Sequence, residues 1–185
     1  MRFSPASTRL GSLVVGGAGM AYPFLVLVGL RLLSAEALLV LPALLLAARL
    51  TFARRGPTDL VLGAATLAVG GLTLVSPTLA LRAWPVVVNL GFAVLFLSSF
   101  VWPPVMVERF ARVVHPDLPD TARPYLRRAT GAWVAFFLAN ASVALWTVVY
   151  GTLEQWVLWN GCLGYLAMAA MFTGEYVVRR LVRPA

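Results

Sequence analysis

Charged residues are scarce in this 185-residue chain, and lysine is absent altogether. Only 12% of the residues are charged while 61% are hydrophobic, and the mean hydropathy is +0.86. Soluble domains usually carry about 25% charged and about 45–50% apolar residues. The composition therefore excludes an ordinary soluble domain. It predicts an all-α integral membrane protein that forms one domain over residues 1–185.

Cysteine and histidine are nearly absent too, with one of each, Cys162 and His115. A lone cysteine in an apolar run cannot build a disulfide framework. We predict no metal site and no cofactor. The fifteen basic residues, all arginine, give a net charge of +8. They sit at the ends of apolar segments, where they act as topology signals, so we predict no nucleic-acid partner.

Six apolar segments are candidates for membrane-spanning helices, since a span needs about 20 apolar residues. They are Leu10–Leu33, Ala35–Leu50, Asp59–Val75, Ala83–Trp102, Ala129–Tyr150 and Gln155–Val178. The second and third are short and are joined by a basic turn. Tryptophans fall near the predicted helix ends, as in an interfacial belt: Trp84, Trp102, Trp133, Trp156 and Trp159. The sequence thus predicts a polytopic bundle of about six spans.

The arginines are distributed unevenly between the two sides of this predicted bundle. Thirteen of the fifteen fall at the two termini or in the second and fourth connections, and only Arg31 and Arg82 fall on the other side. Positive residues favour the cytoplasm, so we predict a bacterial inner-membrane protein with both termini cytoplasmic. Glycines such as Gly63, Gly70 and Gly164 permit close helix contacts within one bundle or between protomers, which leaves homo-oligomerisation open.

The fourth connection, residues 103–128, is the one long stretch that a bilayer would not accept. Val105–His115 reads as a short amphipathic cytoplasmic helix, with its apolar stripe at Met106, Phe110 and Val113. Glu108 and Arg112 are spaced as an i,i+4 pair on its polar face. The chain breaks at Pro116 and Pro119, and a new helix is predicted to run on into the fifth span.

This connection has two interpretations. It is an interfacial helix whose arginines contact anionic lipid headgroups, or it is a docking surface for an acidic or phosphorylated partner. The docking residues would be Arg109, Arg112, Arg123, Arg127 and Arg128.

One weak catalytic pattern lies in the same connection. His115 and Asp120 have the His-x4-Asp spacing of some glycerolipid acyltransferases, in which the carboxylate orients the histidine as a general base. Two prolines interrupt the pattern and no phosphate-binding motif follows, so a solvated loop histidine is the favoured interpretation.

Three asparagines are the main polar side chains inside the predicted spans. Asn89 and Asn160 are predicted toward the outer ends of their helices and Asn140 near mid-span. Polar side chains in hydrocarbon usually bond to a neighbouring helix. The alternative is a polar site on the periplasmic half, with Arg31, Glu36, Arg82, Tyr150 and Glu154 at its rim. Glu175 is four residues before Arg179, which predicts an ion pair at the cytoplasmic boundary.

Several strings along the chain carry a family resemblance. They are Tyr22-Pro23, Glu108-Arg-Phe-Ala-Arg112 with Pro116–Pro119, Phe136-Phe137-x-x-Asn140, Trp159-Asn160-Gly161, and Gly174-Glu175-Tyr176 before Arg179-Arg180. The chain resembles a family of small multi-pass bacterial inner-membrane proteins encoded in aryl polyene (xanthomonadin-like) biosynthesis gene clusters. The resemblance implies a pathway that also contains acyl carrier proteins. It implies no catalytic residues.

Three functions are consistent with these features. The first is a non-catalytic accessory or scaffold protein that docks acidic soluble partners, such as acyl carrier protein, at the membrane. The second is a small transporter or flippase component for a lipid-like product. The third is a membrane acyltransferase that uses His115. Because no complete catalytic constellation is present, we expect the first.

The arginine asymmetry makes the topology testable. In a background with Cys162 replaced by serine, we expect Glu154→Cys to react with a membrane-impermeant thiol reagent from the periplasm. We expect Asp117→Cys to be protected until the membrane is permeabilised. The reverse labelling pattern would refute the orientation, and periplasmic labelling at both positions would refute the helix count.

Overall fold

The computed structural model describes residues 57–182, together with Val28 and Gly29. These residues are almost entirely helical, with no strand among them, which confirms the all-α class. The α-helices are α1 Pro57–Val75, α2 Pro77–Ser98, α3 Met106–Val114, α4 Arg123–Val149, α5 Leu153–Leu158 and α6 Gly164–Val182. A 3-10 turn, Asp120–Ala122, precedes α4, and a π-helical turn, Trp159–Leu163, joins α5 to α6.

Three helical segments are long and apolar enough to cross a membrane. They are Pro77–Ser98, Asp120–Val149 and Leu153–Arg180, and they correspond to the predicted fourth, fifth and sixth spans. The predicted third span coincides with α1, but its apolar part, Gly63–Val75, is shorter than a span. The predicted first and second spans lie outside the described residues, apart from Val28 and Gly29. Among the described residues the structure therefore shows about three spans, in a part of the chain for which the sequence predicts four.

The start of α2 corrects the predicted fourth span, which we expected to begin at Ala83. The Ser76 hydroxyl accepts a hydrogen bond from the Leu79 amide at 3.3 Å, and Pro77 occupies the first helical position, where no N–H is needed. The Ser-Pro pair therefore does two things: α1 ends at Val75, immediately before it, and α2 begins at Pro77. Arg82 consequently lies inside α2 and not before it.

The helices pack around two apolar clusters, one at each end of the α2–α4 pair. At the end away from the arginine-rich connection, Ala80, Leu81, Ala144 and Trp156 are completely buried. At the arginine-rich end, the buried cluster is built from Ala93, Phe96, Trp133 and Phe137.

Two of the predicted interfacial tryptophans therefore belong to the core. Trp133 is only 6% exposed and Trp156 is fully buried, so neither forms part of an aromatic belt. Trp156 tolerates this burial because its indole Nε1 donates to the Arg82 carbonyl at 2.9 Å, which satisfies its one polar atom.

Arg82 closes the carboxyl end of α4. Its Nη2 donates to the Thr147 carbonyl at 2.7 Å and to the Gly151 carbonyl at 2.9 Å. A Cβ atom at residue 151 would lie 2.7 Å from the Thr147 carbonyl oxygen, so only glycine lets the chain turn this tightly. The arginine thus supplies a positive charge and two donors where a helix presents unpaired carbonyls.

We expect Arg82→Leu to lower the free energy of unfolding by about 2 kcal/mol, because two carbonyls in a mainly apolar region lose a charged donor. Thermal unfolding of the full chain in detergent measures the loss. The matched control is Arg180→Leu, since Arg180 is exposed and Tyr176 is the one described residue to which its side chain donates. Equal melting temperatures for the two variants would contradict this role of Arg82.

Candidate functional site at the basic end of the bundle

The amphipathic helix α3 is confirmed, and it is anchored to the bundle by side chains from other helices. Val105, which precedes it, makes no side-chain cap. Instead the Met106 amide donates to the Ser99 hydroxyl at 2.9 Å, and the Val107 amide donates to the Thr130 hydroxyl at 3.3 Å. Ser99 and Thr130 are both buried. These bonds satisfy two of the amides that every helix leaves unpaired at its start.

Glu108 lies on the predicted polar face of α3, and this face is buried at Glu108. It is 6% exposed, because α3 turns this side toward α4. Its Oε1 accepts from Arg112 Nη2 at 2.7 Å, so the predicted i,i+4 pair is confirmed. Arg123 Nε lies 3.9 Å from the same oxygen. A buried carboxylate needs such compensation, and two guanidinium groups supply it.

We call the recess around this carboxylate the arginine notch. It has a volume of about 600 Å3. Its lining consists of Glu108, Arg112, Arg123, Arg127 and the segment Pro103-Pro104-Val105. Three positive groups and one negative group leave the notch with a net positive charge. The arrangement brings together three of the five arginines that the sequence predicts as docking residues.

The arginines of the notch differ in how fully their donors are used. Arg112 directs Nε and Nη2 at Glu108, and Arg123 directs Nη2 at Asp120 at 3.0 Å. Arg127 stacks over the Phe100 ring at 5.2 Å and makes no hydrogen bond within residues 57–182. The Arg127 donors are therefore available to a ligand.

The other two predicted docking residues lie outside the notch. The Arg109 Nε donates to the Pro104 carbonyl at 2.7 Å, and its Nη2 bonds the Trp102 carbonyl, so this side chain closes the loop before α3. Arg128 is exposed and does not line the notch.

A second and larger recess, which we call the aromatic cavity, lies on the other side of α3. Its volume is about 830 Å3, and α2, α3, α4, α6 and the loop after α3 all contribute to its lining. Most of that lining is apolar and aromatic, including Phe96, Phe110, Trp133, Phe137, Met168 and Phe172. No linear sequence pattern indicates this cavity, because its lining comes from four helices and a loop that are separated along the chain.

Among the described residues, the polar side chains that line the aromatic cavity are His115, Thr121, Tyr125, Glu175 and Arg179, and three of them meet in one network. There the Tyr125 hydroxyl donates to Glu175, at 3.0 Å from Glu175 Oε1 and 3.1 Å from the Glu175 carbonyl oxygen. Arg179 Nη2 lies 2.6 Å from Glu175 Oε2, which confirms the predicted pair. We call Tyr125, Glu175 and Arg179 the polar rim.

His115 and Asp120 do not form the dyad that acyl transfer would require. His115 is exposed at the end of α3 and lines the aromatic cavity, whereas the Asp120 carboxylate pairs with Arg123. A histidine acts as a general base only when it is oriented toward its substrate, and no carboxylate of residues 57–182 forms a hydrogen bond with His115.

The three asparagines form hydrogen bonds between and within helices. Asn140 Nδ2 donates to Asn89 Oδ1 at 2.9 Å, and Trp159 Nε1 donates to Asn140 Oδ1 at 3.1 Å. Asn160 Nδ2 bonds the Trp156 carbonyl at 2.9 Å and the Thr147 hydroxyl at 3.4 Å. Because α2 begins at Pro77, Asn89 lies beside Asn140 near mid-helix and not at the outer end.

No protein-family model, characterised protein or solved structure shows significant similarity to the chain. In the part of the chain that the structure describes, no group of three or more His, Cys, Asp or Glu side chains converges as metal ligands. The candidate sites are therefore the arginine notch and the aromatic cavity.

The asparagine pair leads to a prediction about stability. We expect Asn140→Leu to lower the unfolding free energy by about 1 kcal/mol, because Asn89 and Trp159 each lose a partner in an apolar region. Thermal unfolding in detergent measures this loss of stability. Ser142→Ala is the control, since the exposed Ser142 hydroxyl donates to the Leu138 carbonyl of its own helix. A variant that folds as well as wild type but loses all function would instead assign Asn140 to a functional site.

Proposed function

We propose that the chain is a non-catalytic membrane accessory protein whose arginine notch docks an acidic soluble partner. The observation that supports this function is the convergence of Arg112, Arg123 and Arg127 on one accessible recess beside a single buried carboxylate. Glu108 holds two of these arginines in place and leaves the recess with excess positive charge. A carboxylate or phosphate group of a partner is the complementary ligand.

Arg127 is the central residue of this proposal. Its guanidinium is fixed over the Phe100 ring, yet its N–H donors make no hydrogen bond to the described residues. A planar guanidinium with free donors can bind a carboxylate or phosphate bidentately. Arg112 and Arg123 contribute positive charge to the notch. Their side chains are 33% and 57% exposed, so a partner can contact both.

The setting of this surface is part of the proposal. The arginine asymmetry supports an inner-membrane protein of about six spans, with both termini and the notch in the cytoplasm. The sequence resemblance supports a role in aryl polyene or related lipid-like pigment biosynthesis. The acidic partner would then be an acyl carrier protein, and anionic lipid headgroups would contact the remaining arginines.

A role in moving a lipid-like product is the second candidate, and the aromatic cavity favours it. The asparagines do not support a transport path, because they pair with protein groups and Asn89, Asn140 and Asn160 are not among the residues that line the cavity. No comparable observation favours an acyltransferase.

Arg127→Gln tests the docking proposal. We expect it to weaken binding of a purified acidic acyl carrier protein about fivefold at low salt, because one charged donor is lost from the notch. The difference from wild type should shrink at moderate salt, since exposed charges are screened. Binding of the carrier protein to the full chain in nanodiscs, titrated at both salt concentrations, provides the measurement.

Arg180→Gln is the matched control. Arg180 lies over the Tyr176 ring at 5.2 Å, the same distance as Arg127 over Phe100, but it does not line the notch. The two variants therefore remove the same charge and one ring contact each, and Arg180→Gln also removes the hydrogen bonds to the Tyr176 hydroxyl. Equal weakening by both, or no measurable binding by wild type, would refute the notch as a docking site.

A further inference from the structure

The aromatic cavity has no place in the proposed docking function, and its chemistry indicates a ligand of its own. We propose that it binds one long-chain fatty acid, with the hydrocarbon tail among the aromatic side chains and the carboxylate at the polar rim. This inference is independent of the arginine notch.

The size of the cavity fits a small amphiphile. Its volume of about 830 Å3 lies within the range of about 300–1,000 Å3 that is common for small-molecule sites. The deeper lining includes Phe96, Trp133 and Phe137, which are all less than 9% exposed. Met168 adds a flexible side chain that adapts to the shape of a hydrocarbon tail.

The cavity is open on one side. Phe110 of α3 and Phe172 of α6 both line it, yet they are 61% and 58% exposed. The two rings belong to different helices, and both lie at the open side of the cavity. A ligand that partitions into a membrane can therefore enter from the side without crossing water.

The lining combines an apolar majority with one polar network, as an amphiphile requires. The charged side chains in the lining are Glu175 and Arg179, which pair with each other, and the Tyr125 hydroxyl donates to Glu175. Arg179 and Arg180 lie in the last turn of α6, where basic residues mark a membrane boundary. The polar rim is therefore placed at the level where a lipid carboxylate lies.

Arg179 is the rim group that can receive that carboxylate. It directs Nε and Nη2 at Glu175, which leaves Nη1 without a partner among the described residues, and the side chain is 44% exposed. His115 also lines the cavity and makes no side-chain hydrogen bond to the described residues. Glu175 balances the Arg179 charge, and a bound carboxylate accepts a charge-assisted hydrogen bond from Arg179 Nη1.

A photoreactive probe tests this site directly. The full chain is placed in phosphatidylcholine nanodiscs with a long-chain fatty acid that carries a diazirine on its tail, and the labelled residues are mapped by mass spectrometry. We expect labels at cavity residues of α4 and α6, and we expect unlabelled oleate to compete for them. Labels spread over the outer surfaces of the bundle, or no competition, would overturn the proposal.

Two alanine-to-phenylalanine variants test where on the protein the probe binds. Ala111 lines the cavity from α3, so Ala111→Phe should lower cavity labelling about tenfold by occupying the space that the tail needs. Ala135 is on an exposed part of α4 and does not line the cavity, so Ala135→Phe should leave labelling unchanged. Unchanged labelling in Ala111→Phe would refute the site.

The headgroup is tested separately from the tail. Arg179→Gln should reduce labelling by the acid but not by its methyl ester, whereas Arg180→Gln should affect neither. Equal labelling by the acid and the ester in wild type would overturn the carboxylate assignment. Equally efficient, oleate-insensitive labelling by a phosphatidylcholine with the same tail would show that bulk lipid fills the cavity, which overturns the proposal.

Discussion

The basic end of the bundle depends on two hydrogen bonds at the start of α3, from the Met106 and Val107 amides to Ser99 and Thr130. A helix nine residues long has little stability of its own in water, so these tertiary bonds determine where it lies. Because they hold its start against α2 and α4, Glu108 is directed to one side and Phe110 to the other. The arginine notch and the aromatic cavity are thus two faces of one anchored helix.

At the opposite end of the bundle, unpaired backbone groups also receive hydrogen bonds from a side chain of another helix, but here the groups are carbonyls and not amides. There α4 ends in carbonyl groups that apolar surroundings cannot satisfy, and Arg82 reaches across from α2 to bond two positions, Thr147 and Gly151. Trp156 then bonds the Arg82 carbonyl, which links the start of α5 to the same contact. At both ends, side chains from outside a helix satisfy its unpaired backbone groups. Between the two ends, the Asn89 and Asn140 side chains bond across helices in a similar way.

The buried Glu108 explains why the arginines of the connection are not equivalent. It engages Arg112 closely and Arg123 more distantly, and neither contact involves Arg127. The burial of one carboxylate therefore separates arginines that maintain the structure from one whose donors are free to bind. This division is the physical basis for expecting a specific anion site, because a topology signal alone requires only positive charge.

The sequence by itself determined the helical class, the third to sixth helical segments and the short helix in the connection, since each follows from hydropathy, proline positions or 3.6-residue periodicity. It also predicted the pairs Glu108–Arg112 and Glu175–Arg179, because i,i+4 spacing is local. It misplaced the start of α2, since Ser76-Pro77 can end one helix or begin the next. Only the tertiary structure decided that Glu108, Trp133 and Trp156 are buried, that Asn89 meets Asn140, and that a cavity opens beside α3. Those outcomes depend on which helix faces lie against each other, and the periodicity of one helix carries no information about its neighbour.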